Sequence, residues 1–284
     1  MTTMNDDQVI RILCERYPQM LLPIREGEKD SIEYRNAVLR GIPILSAPSF
    51  IGSPLDNLTA EVTPCGTVDT VTFGNREDFL HAMRALVYRC EPVAIQDSVG
   101  AVMIRGLINR AKINEYKRCF LLAGGEDWNT EFKHFTEDKT NYQDTILLMS
   151  TGYYSAVTPE KIGFPCGLWA EKSLIIRKYH ELTHFIMRAE MPDNIETLRD
   201  EIIADAVGIF AAFGRYDSRI ARVFMGVDNG VFVAGGRLSH YVDETELVSA
   251  VKNTEKWINL IQDHKTDTED PYAYLADICM MITG

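Results

Sequence analysis

The residues of this chain best suited to chemistry are two histidines four apart with a glutamate beside the first, His180-Glu181-Leu182-Thr183-His184. Leu174, Ile175, Leu182, Phe185, Ile186 and Ala189 recur around them at helical spacing, which predicts that the motif lies inside a helix. Four residues make about one turn, so both imidazoles project from one side, separated by about 5.4 Å along the axis. Rings so placed can close on a single tetrahedral zinc ion at roughly 2.0 to 2.1 Å each. Glu181 points to the flank of that ion, where a carboxylate can take a proton from metal-bound water.

Catalytic zinc needs a third protein ligand and an open fourth position. The spacing HExxHxxGxxH fails here, because Met187 stands where glycine would turn the chain and Glu190 where a third histidine would be. Residues 196–213 instead predict a second helix, joined to the first by a short loop containing Pro192. Glu201 and Asp205 share one face of it, and Gly208 and Ala212 continue that face. An acidic and then small stripe lets this helix lie closely against the metal helix, with Gly214 as its C-cap. Glu201 is the expected third ligand. Asp205 is expected to accept the ring N–H of a ligating histidine.

HELTH followed by Glu201-x-x-Ala204-Asp205 resembles the gluzincin branch of zinc metallopeptidases, the thermolysin-like and related enzymes. In them the third ligand is a glutamate on a helix after HExxH, and an aspartate four residues later supports a histidine. The phrase EIIADAVG, ending at Gly208, is similar to the second motif of CAAX-protease-type and related gluzincins. The resemblance covers His180 to Gly208, about a tenth of the chain. It implies a zincin-like fold, with a small sheet whose edge strand holds substrate beside the metal helix. Asp144 to Ser150 is the candidate for that strand.

Further candidates surround this pair of helices. After the flexible pair Gly235-Gly236, His240 and Tyr241 can donate to a developing oxyanion, and Arg237 can hold a substrate carboxylate or brace Asp205. Gly152-Tyr153-Tyr154-Ser155 follows the candidate strand and can line the cleft. Arg177, one turn before Glu181, can pair with it. Cys166 is an alternative ligand, of the kind that peptide deformylases place upstream of HExxH.

The elements that must position these groups form an α+β chain. A mixed region, 1–165, has strands expected at 67–73, 93–95, 101–108 and 144–150 and helices at 5–17, 30–39 and 75–89. Residues 45–64 read as loop, rich in Pro, Gly and Ser. A helical region, 166–284, carries the metal site, with helices at 171–190, 196–213, 218–225, 244–263 and 272–281. Of 284 residues 46% are apolar, enough for a core without staples. The net charge of −12, from 29 basic against 41 acidic residues, argues against nucleic acid or an anionic membrane as partner. Six cysteines without regular spacing read as free thiols, and with neither a secretory signal nor an apolar span the expected compartment is the cytosol. The functional expectation is a soluble zinc-dependent hydrolase, first of all a peptidase. Its rivals are a deformylase-like amidase on a small substrate and a non-catalytic regulator that keeps the fold.

Overall fold

The computed structural model describes residues 6–45, 50–191 and 197–283. The chain is mixed α and β and forms two compact units, residues 1–62 with 67–151 and residues 63–66 with 152–284. The division thus falls at Thr151-Gly152, ahead of the boundary expected near residue 165.

The first unit is built on a four-stranded sheet of order β1-β2-β4-β3, with β1 at Asn57–Thr63, β2 at Gly66–Phe73, β3 at Ala101–Ile108 and β4 at Gln143–Ser150. β4 pairs in parallel with β2, from Asp69 opposite Ile146 to Phe73 opposite Ser150. On its other side it runs antiparallel to β3, from Ala101 opposite Met149 to Ile108 opposite Gln143. The expectation that residues 144–150 form a substrate-holding edge strand is therefore wrong. The run Ile146-Leu147-Leu148-Met149 is buried throughout, as befits an inner strand covered on both faces; an edge strand alternates or carries charge. Helices α1 (Asp6–Arg16), α2 (Ile32–Tyr34, continued by a π-helical segment Arg35–Arg40), α3 (Arg76–Leu86), α4 (Arg110–Leu122) and α5 (Trp128–Glu137) complete the unit. Val9, Leu13, Tyr17 and Met20 meet Phe73, Phe79, Ile146 and Leu148 in its core.

The second unit is almost entirely helical, with α6 (Pro159–Ile162), α7 (Cys166–Glu190), α8 (Thr197–Phe213), α9 (Ser218–Met225), α10 (Leu247–Asp263) and α11 (Pro271–Thr283). A two-residue ladder of β5 (Val227–Asp228) and β6 (Val231–Phe232) follows α9. α8 touches α7, α9, α10 and α11, which explains why Ile202, Ile203, Ala206, Val207, Ile209 and Phe210 are apolar all round it. α7 and α8 approach closely at Gly208, where an added Cβ would stand 2.8 Å from the carbonyl oxygen of Ile176. Gly214, at φ 69°, ends α8 by donating its N–H to Phe210 O at 2.8 Å. Pro192 and Glu196, expected in the loop and at the start of α8, lie outside the described residues. No helix of the described residues is long and apolar enough to cross a membrane.

Candidate metal centre

α7 carries His180 and His184 on one face, and α8 brings Glu201 to them. The close approach at Gly208, two turns further along α8, is what allows this meeting. The three side chains can each offer one ligand atom within 4.8 Å of the others, the one such group of three or more among the described residues. His180 Nε2 lies 3.0 Å from His184 Nε2 and 3.5 Å from Glu201 Oε2, and His184 Nε2 lies 3.4 Å from Glu201 Oε1. Bonds of roughly 2.0 to 2.2 Å to a tetrahedral ion require donor separations of about 3.3 to 3.6 Å. Two of the three separations fall in that range and the third is slightly short.

What lies behind the rings fixes their orientation. His180 Nδ1 stands 3.1 Å from Asp205 Oδ1 and 2.8 Å from the Tyr154 hydroxyl. That hydroxyl donates to Asp205 Oδ1 at 2.7 Å and accepts from Arg237 Nη1 at 2.9 Å. A second Arg237 nitrogen donates to Asp205 Oδ2. His184 Nδ1 stands 2.9 Å from Asp200 Oδ2. With an acceptor at each Nδ1, the proton of each neutral ring resides there, and both Nε2 lone pairs face the shared point. Asp205 meets its expected position behind a ligand ring. Arg237 braces Asp205, one of its two expected roles.

The charges match the geometry. Three carboxylates (Asp200, Glu201, Asp205) face the ring pair against the single guanidinium of Arg237, a surplus of two negative charges. Burial pushes the Glu201 carboxyl up, but the His184 and His180 rings and Arg237 outweigh it and bring its pKa to about 2. Burial likewise opposes ionisation of Asp205, and Arg237 and His180 hold it at about 2. Burial also disfavours a charged His184, yet Asp200 and Glu201 raise its pKa to about 10. The pocket thus stabilises positive charge between the rings, and a divalent cation supplies it without protonating a ligand. The donor set of two imidazoles and a carboxylate suits zinc.

Glu181 lies beside the first ligand, half-buried, and its carboxylate makes no hydrogen bond or ion pair among the described residues. Tyr241 donates its hydroxyl to Glu201 Oε2 at 2.8 Å. A role at an oxyanion would require that hydroxyl to change partners. His240 is exposed, with its ring centroid 6.5 Å from that of Tyr241. Arg177 Nη2 donates to the carbonyls of Gly152 and Tyr153. Cys166 is excluded as a ligand: it opens α7 itself, fourteen residues before His180, which along one helix is about 21 Å.

Two residues escaped sequence reasoning. Asp200 directly precedes Glu201 in the chain, and the rule that each ligating ring needs its own acceptor would have assigned it to His184. Tyr154 was noticed only as a cleft residue. Its true position depends on Ser155 and Ala156 turning with φ of 56° and 54°, which no pattern of residue types announces.

Neither the curated proteins nor the solved structures include a match to this chain. Residues 1–269 match a family of unknown function, DUF7005, and the chain belongs to that family.

Proposed function

We propose that this chain is a zinc-dependent hydrolase of amide bonds, with a zincin-like centre on α7 and α8. The observation that carries the reading is the convergence of His180 Nε2, His184 Nε2 and the Glu201 carboxylate at separations of 3.0 to 3.5 Å, each ring backed by its own aspartate. Three donors leave the fourth vertex of a tetrahedron for water or substrate, whereas structural zinc takes four protein ligands. Bound zinc would supply Lewis acidity there, lowering the pKa of water and polarising a carbonyl. Glu181 would accept the proton of the attacking water and pass it to the leaving nitrogen. Tyr241 holds Glu201 in position, and Asp205 and Asp200 hold the rings.

Peptides are the first substrate class to test, following the gluzincin-like motif. One observation favours a small amide as the second reading: β4, the strand expected to carry a peptide backbone, has both sides already paired.

Metal analysis and a substrate panel test both readings. The purified protein should carry one zinc per chain, and Glu201→Ala and His184→Ala should lose it. Glu181→Gln should keep zinc and lose turnover by about 10²- to 10⁴-fold on peptides or small amides. Stoichiometric zinc in Glu201→Ala would overturn the third ligand. Unchanged turnover in Glu181→Gln would overturn the base.

A further inference from the structure

The first unit contains a cleft of about 830 Å³, bounded by α1, the π-helical segment, residues 41–44 and 50–52, and the start of α4. Small-molecule sites range over roughly 300 to 1,000 Å³. Its walls are mainly apolar, Ile10, Leu21, Ile42 and Phe50 among them. Arg11, Glu15 and Asn114 are its exposed polar members, and Arg110 is the buried one. It is 8% exposed, and its Nε and Nη2 both turn to one acceptor, the carbonyl of Val38. Nη1 lies beside Gly41 and makes no hydrogen bond among the described residues.

No carboxylate of the described residues pairs with Arg110. Asp144, near the start of α4, is occupied by Tyr17, Asn109 and Lys112. Glu15, on the cleft wall, is exposed and 4.0 Å from Arg11. A guanidinium cannot shed its charge at physiological pH, and burial with no counter-ion pushes its pKa down. Buried charges are ordinarily paired, so an unpaired one facing a roomy apolar cleft indicates a partner from outside.

We propose that this cleft binds a small amphiphilic carboxylate, with its head on Arg110 and its apolar body along Ile10, Leu21, Ile42 and Phe50. The other cation of the wall, Arg11, is exposed and 4.0 Å from Glu15, so Arg110 is the one buried, unpartnered cation, which matches a monoanion, whereas a phosphate dianion calls for a second. The site lies wholly within the first unit and does not rest on the hydrolase reading.

Calorimetric titration of the full chain with dodecanoate, below its micelle concentration, tests this, with dodecan-1-ol as the neutral comparator. Dodecanoate should occupy one saturable site per chain, and the alcohol should bind at least tenfold more weakly. Arg110→Met should abolish that preference. Since Arg110 also holds Val38, a second variant guards against misfolding. Asn114 is exposed, lines the cleft and lies four residues after Arg110 on the same face of α4. Asn114→Asp changes no volume and supplies an internal counter-ion, so dodecanoate should weaken at least tenfold while the alcohol is unaffected. Absence of saturable binding, equal affinity for acid and alcohol, or an indifferent Asn114→Asp would overturn the proposal. Tighter binding of dodecyl phosphate than of dodecanoate would overturn the monocarboxylate assignment.

Discussion

In each unit a buried aspartate, Asp144 or Asp205, gathers side-chain donors into a polar cluster, and the two clusters are built from similar parts. In the first unit Asp144 accepts from the Tyr17 hydroxyl at 2.5 Å, Asn109 Nδ2 at 2.6 Å and Lys112 Nζ at 2.8 Å. In the second, Asp205 accepts from the Tyr154 hydroxyl at 2.7 Å, from Arg237 and from His180 Nδ1 at 3.1 Å. Aspartate, tyrosine and a cation recur in both. What differs is the third donor. The Asn109 side chain turns its remaining polar atom to its own helix start, accepting from Lys112 N–H, so that cluster ends where it began. The His180 ring has a second nitrogen that faces His184 and Glu201. A buried aspartate alone therefore says little of function; one that orients a group whose other end meets further candidate ligands says more.

Removing the two carboxylates should separate these roles, with the largest effects on stability expected of any change considered. Asp205→Ala leaves the Arg237 charge without its partner, a loss of about 3 to 5 kcal/mol for a broken buried pair. It should also weaken zinc by about 10- to 100-fold, the usual effect of removing the support of a ligating histidine. Asp144→Ala orphans a tyrosine and an asparagine and should cost about 2 to 4 kcal/mol, with zinc affinity unchanged. Thermal unfolding and a zinc competition titration on both variants decide the matter. Equal zinc affinity in the two would erase the distinction drawn between the clusters.

The second cluster also depends on how closely α7 and α8 approach, which Gly208→Ala probes. Alanine favours a helix interior over glycine by about 1 kcal/mol. Here its Cβ would stand 2.8 Å from the backbone oxygen of Ile176, an atom that cannot turn aside. Overpacking of this kind costs about 1 to 3 kcal/mol, so a net loss of up to about 2 kcal/mol is expected, with weaker zinc binding as Glu201 is displaced. A more stable variant with unchanged zinc affinity would show that the helices have room to spare. The Asp144 cluster, two helical turns from no such glycine, should be insensitive.

Much of the centre was legible because helices convert sequence spacing into geometry directly. His180 and His184 at four apart, and Glu201 and Asp205 at four apart, fixed the facing surfaces before any coordinates, and the small face at Gly208 announced the close approach. Gly214 marked the end of α8 for the same local reason. The sheet was harder. β4 was recognised as a strand, but its neighbours come from residues 66–73 and 101–108, and pairing at such separations leaves no periodic mark. β1 was read as loop because it follows a stretch rich in Pro, Gly and Ser, and of its own apolar residues Leu58 alone is even half-buried. Residues 93–95, the apolar run Val-Ala-Ile, are irregular chain, since strand propensity counts for little without a partner. α4 went unassigned, for it is amphipathic only over its first turns and exposes Leu121 and Leu122.

The buried carboxylates of the candidate centre and the buried thiols should weaken the fold at opposite ends of the pH scale. In the second unit, Glu201 and Asp205 are held at about 2. Their contribution to stability is present above the ordinary carboxylate pKa near 4 and is lost as pH falls toward 2. In the first unit, burial pushes the Cys14 and Cys90 thiols up to about 12 from 9.0. The folded chain keeps these protons while the unfolded chain releases them, so their contribution is intact below pH 9 and declines as pH climbs toward 12. Between pH 9 and 10 each thiol should subtract about 1 kcal/mol. Denaturant titrations at pH 8, 9 and 10 measure this slope, and since burial also raises Cys279 of the second unit, to about 11, Cys90→Ala should remove about a third of the thiol-linked part. An unaltered slope in that variant would mean that Cys90 ionises freely in the folded state. Its prompt alkylation at pH 8, alongside the exposed Cys119 and Cys166, would show the same independently. The first unit would then lack the sealed interior that sets its buried groups apart from those of the metal centre.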